Sequence, residues 1–146
     1  MAGRNTLRLD TRGFEELITK LEGLGGDVKA AVTDALEQAA ETVEEDTKEA
    51  VQASNLPAHG KYSKGDTMDS IITSARTEWH GTLAEIKVGF DYSKPGAGGF
   101  LITGTPKMKP DKELNKIYKK KKYMSDLQKD MQEVVNDAII ERMEGS

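Results

Sequence analysis

"SIITSARTEWHGTLAEIKVGFD" (Ser70–Asp91) is the stretch whose reading decides the fold. Two runs with strand character flank His80-Gly81, a dipeptide whose glycine suits a tight turn. One arm is Ile71–Trp79. The other, Leu83–Phe90, offers Leu83, Ile86, Val88 and Phe90 as apolar positions in imperfect alternation. The reading is a β-hairpin. "TLRLD" (Thr6–Asp10) alternates and reads as another short strand. "FLIT" (Phe100–Thr103) is short and apolar, so it is a third strand or one turn of buried helix. Read with the sequence after it, it is taken as a strand ending at Gly104, where the backbone turns sharply. That leaves Thr105, Pro106, Lys107 and Met108 exposed for a neighbour.

Helical periodicity frames these strands. Phe14, Leu17, Ile18 and Leu21 make a short apolar face, closed by Gly23, Gly25 and Gly26. Asp27 is placed to cap a long helix whose stripe is Val28, Val32, Ala35, Leu36, Ala39, Val43, Ala50 and Val51. Pro57 bounds it. Residues 54–67 and 91–99 read as flexible loops, the first ending in a single turn capped by Asp66 or Thr67. Residues 111–122 suggest a helix with Leu114, Ile117 and Tyr118 on one side. The last helix carries Leu127, Met131, Val134, Val135, Ala138 and Ile139, with Ser125 and Gln128 as its capping box. The sum is one α+β domain over residues 1–146. A small antiparallel sheet built on a β-hairpin is packed by a long helix from the N-terminal half and by a C-terminal helix.

Composition narrows the function. The 146 residues are 36% hydrophobic, only 5% aromatic and 32% charged. Such a core is thin for its length and points to burial completed against copies or partners. There is no cysteine, which excludes disulfide and thiolate chemistry. The first ten residues lack the apolar run of a signal peptide, and no segment approaches a membrane span. The expectation is a soluble protein made in the cytoplasm, with no membrane partner.

The net charge of −4 argues against bulk nucleic-acid binding, but charge is polarised. Residues 34–49 hold seven acids, including Glu37, Glu41, Glu44 and Glu45, against Lys48 alone. Residues 107–122 hold eight lysines against Asp111 and Glu113. An acidic face of one subunit can meet the basic segment of the next. Glu41, Glu44 and Glu45 on one side, and Lys119, Lys120, Lys121 and Lys122 on the other, are the expected contacts. "YKKKKY" (Tyr118–Tyr123) is also the best nucleic-acid feature, four lysines between aromatics.

Signals for catalysis or cofactors are weak. The two histidines, His59 and His80, have no metal-ligand spacing to a second ligand. No G-x-S-x-G elbow supports a nucleophile. "GAGGFLITG" has Leu101 where a dinucleotide loop needs its third glycine, and "GKYSKGDT" lacks the upstream glycine of a phosphate loop. The helix carboxylates lack an apolar pocket to raise their pKa. The expectation is a non-enzyme with no cofactor and no metal.

The order of elements and three short motifs resemble the tail-completion, or head–tail joining, protein family of long-tailed bacteriophages. "LDTRGFEELITKLEGL" (Leu9–Leu24) looks like the family's strand followed by GLEELxxKLxxL. "ASNLPAHGKYSKGDTMDSI" (Ala53–Ile71) looks like AP…TGxLRxSI, and "LITGTPKMKPDKEL" (Leu101–Leu114) like EFGTxxMxAxPF. The chain departs from the pattern at Ile102, where the acid is usual, at Gly65-Asp66-Thr67-Met68-Asp69, where TGxLR is degraded, and at Pro110-Asp111, where Pro-Phe closes the motif. The resemblance implies a virion component that forms a homo-oligomeric ring, commonly sixfold, in the neck. Its neighbours there are a head-side stopper or connector protein and a tail terminator or tail tube protein. DNA passes through the lumen without sequence-specific contact. The alternative from the residues is a small nucleic-acid-binding accessory protein using Lys107–Lys122.

Overall fold

The computed structural model describes residues 5–10, 25–57, 60, 62–73, 75–106 and 108–144. Along the chain these form β1 (Asn5–Asp10), α1 (Gly25–Ala53), α2 (Lys64–Asp69), β2 (Glu78–His80), β3 (Leu83–Val88), α3 (Gly98–Thr103), α4 (Lys112–Tyr118) and α5 (Lys121–Glu144). The fold is α+β. The sheet is antiparallel in the order β1-β3-β2. The expected short helix around Phe14–Leu21 lies outside the described residues.

Strand β3 is central because it alone has two partners. Leu7 stands opposite Ile86 and Leu9 opposite Ala84. All four are buried, together with Val88 and Phe90. The other face carries charge, and Arg8 Nε reaches Glu85 Oε1 at 3.3 Å directly across the register. The two-residue loop of the hairpin is Gly81-Thr82 rather than His80-Gly81, since His80 pairs with Leu83. Gly81 supplies the positive φ of 65° that the turn requires.

The first hairpin arm is not one continuous strand over Ile71–Trp79. It pairs at its two ends only, Glu78–His80 in β2 and Ile71 opposite Phe90 in a single bridge. Between them the chain leaves the ladder, and Ala75 is the residue there that packs on the core.

Helix α1 is the element everything else packs on. Val32, Ala35, Leu36, Ala39, Val43, Ala50 and Val51 are all buried, and Thr47 joins them at 0% exposure. The alanines let the sheet and α5 approach the helix closely, at the cost of small area per turn. Helix α5 buries Leu127, Met131, Val135 and Ile139 against the same core, whereas Val134 is exposed. Tyr123, in the first turn of α5, hydrogen-bonds Asp46, seven residues before α1 ends. The buried residues of α5 continue 16 residues past Tyr123, roughly 24 Å, but α1 extends only about 10 Å beyond Asp46. So α5 must run back along α1.

Three sequence expectations are corrected. Phe100–Thr103 is helix (α3), not strand. An i to i−4 bond from Leu101 N to Ala97 O begins it, and Asp111 N and Asn115 Nδ2 occupy the carbonyls of Leu101 and Ile102. Helix α5 begins at Lys121, a turn before the predicted Ser125 capping box, because the Tyr123 hydroxyl and the half-buried Met124 hold that turn against the core. The turn after the first loop is capped by Ser63, whose Oγ accepts from Asp66 N at 3.0 Å, rather than by Asp66 or Thr67. Asp111 caps α4 through Glu113 N and Leu114 N, both 3.1 Å.

The glycines of residues 96–99 serve packing. Ala97 N donates to Thr67 Oγ1 at 2.8 Å, which docks this loop on α2. A Cβ on Gly98 would lie 2.4 Å from Phe90 Cγ. Gly98→Ala therefore destabilises by about 1–3 kcal/mol through overpacking. Gly65→Ala, in α2 with nothing within 4 Å, stabilises by about 0.5–1 kcal/mol through helix propensity. Urea denaturation of the two variants checks the opposite signs.

Candidate assembly surfaces

The tetralysine run has a specific support. Tyr118 ends α4 and Tyr123 lies in the first turn of α5, so Lys119–Lys122 form the corner between two helices. Both tyrosines turn inward onto consecutive residues of α1. The Tyr118 and Thr47 hydroxyls share a buried hydrogen bond of 2.6 Å, and Tyr123 Oη donates to Asp46 Oδ2 at 2.5 Å. Burial pushes both phenols well above their ordinary value, and the Asp46 carboxylate adds to the effect on Tyr123.

Lys120 and Lys122 line a groove with Thr42 and Asp46 of α1 and with Asp126 and Asp130 of α5. Lys119, Lys120, Lys121 and Lys122 are all exposed. Lys122 pairs with Asp126 at 3.1 Å, one turn along α5. The other three make no ion pair among the described residues. Cations at the start of α5 also oppose the positive end of its helix dipole. Three exposed lysines without an ion pair among the described residues leave the corner attractive to an anionic surface. It does not offer a stacking platform, since both flanking rings are committed to α1.

The acidic residues of α1 divide between two flanks. Glu37, Glu41 and Glu44 line a groove with Ile72, Arg76 and Lys87, toward the sheet. Asp46 and Glu49 line the opposite flank, with Lys116 and Tyr123. Glu44 holds Lys48 at 2.9 Å. Glu41 and Glu45 are exposed and make no ion pair among the described residues. The structure therefore does not bring Lys119–Lys122 onto Glu41, Glu44 and Glu45 within one chain.

Just after α3, Thr105 and Met108 form an antiparallel bridge. Thr105 N donates to Met108 O at 2.8 Å, and Met108 N to Thr105 O at 3.1 Å. Gly104 has a φ of 78°, and a Cβ there would lie 2.8 Å from Met108 O, so both conformation and space demand glycine. Thr105 and Pro106 are exposed, while Met108 is half-buried and packs on the core. Lys107 lies outside the described residues. Met108 is thus an anchor of the bridge, not a side chain offered to a neighbour.

The residues considered for chemistry stay apart. His80 is exposed at the hairpin end, 3.9 Å from Glu78, and His59 lies outside the described residues. Among the described residues no group of three His, Cys, Asp or Glu could hold a metal ion, and no helix is long and apolar enough to cross a membrane. No family model, curated protein or solved structure matches this chain.

Sequence reasoning does not single out Thr47 and Asp46, which tie the lysine corner to α1. The signal was present: Thr47 completes the Val43–Val51 stripe at the i+4 position, so a polar residue there needs a buried partner. Tyr118→Phe leaves the Thr47 hydroxyl unsatisfied and costs about 1–2 kcal/mol. The pH dependence follows in sign. The folded chain keeps both phenols protonated above the ordinary tyrosine range, whereas the unfolded chain ionises them near pH 10. Their contribution is complete below about pH 10 and falls as pH rises beyond it. Urea midpoints measured from pH 8 to 11 should fall for the native chain, and less steeply for the Tyr118→Phe/Tyr123→Phe variant.

Proposed function

We propose that this chain is a structural virion protein of a long-tailed bacteriophage. It forms a ring in the neck, a hexamer if it follows the family it resembles, which completes the tail and joins it to the head. Its neighbours are a head-side stopper or connector protein and a tail terminator or tail tube protein. DNA passes through the lumen without sequence readout. The motifs at Leu9–Leu24, Ala53–Ile71 and Leu101–Leu114 motivate the family.

One observation carries the assembly reading. Lys119, Lys120 and Lys121, and Glu41 and Glu45, are exposed and make no ion pair among the described residues. Exposed opposite charges left without an ion pair within a chain can meet between chains, and a head-to-tail contact closes into a ring when its rotation permits. Exposed charge pairs of this kind set orientation and respond to salt more than they supply affinity.

The nucleic-acid alternative through Lys107–Lys122 is left with phosphate contacts alone. Single-strand binders usually combine a basic groove with aromatic stacking, and the tyrosines flanking the run are engaged elsewhere.

The test is a charge swap. Glu replacing Lys119–Lys122 weakens self-association at low salt by about tenfold or more, as does Lys replacing Glu41 and Glu45. Glu44 is spared because it holds Lys48. Combining the two sets restores association. Sedimentation velocity reads all three. Unchanged association in both single sets overturns the reading. Duplex DNA affinity with a steep dependence on salt, lost with the lysines, would favour the alternative.

A further inference from the structure

We draw no further inference here: the strongest candidate, the patch of exposed aromatic rings that Tyr62, Tyr92 and Phe100 form at the start of α3, carries none because nothing in the structure shows what covers it.

Discussion

The whole structure depends on how closely other elements can approach α1. Its buried apolar stripe is six alanines and valines with Leu36 as the one larger side chain among the described residues, and the sheet, α2, α4 and α5 all close on it. Small residues make that approach possible and also limit what each contact contributes. A core built this way needs polar ties at its edges. Thr47 and Asp46 provide two, each to a tyrosine, and both tyrosines belong to the segment that turns from α4 into α5.

That arrangement links stability to surface chemistry. The same two hydrogen bonds that close the helical layer also tie the tetralysine corner to α1. Lys121 and Lys122, in the first turn of α5, work against its helix dipole. A sequence that tolerates such a local conflict has a use for it elsewhere. An anionic surface would relieve the conflict, and in the proposed assembly the acidic flank of α1 in another copy supplies one.

Much of the fold was legible in the sequence. The α+β class, the long helix with its stripe, the C-terminal helix and the Leu83–Phe90 arm followed from periodicity. The failures share a cause. "FLIT" is too short for periodicity to separate strand from helix, and its state is set by Asp111 and Asn115, ten or more residues away, which satisfy its last carbonyls. The start of α5 was misplaced because a tertiary bond from Tyr123 to Asp46, 77 residues apart, outweighs a local capping signal. At the candidate surfaces, the lysines and glutamates were evident as charge runs. That they form no ion pair with one another among the described residues, the anchoring role of Met108 and the inward turn of both tyrosines depend on packing, which no local pattern encodes.

The central claim is that this chain associates with itself through charges it cannot neutralise alone. Light scattering on the purified native chain, across a salt series, tests it most directly. The account predicts a mass several times 16.0 kDa at low salt, falling toward the monomer as salt approaches about 1 M and the screening length shrinks to about 3 Å. A mass of one chain at every salt concentration, or an oligomer indifferent to salt, would contradict it.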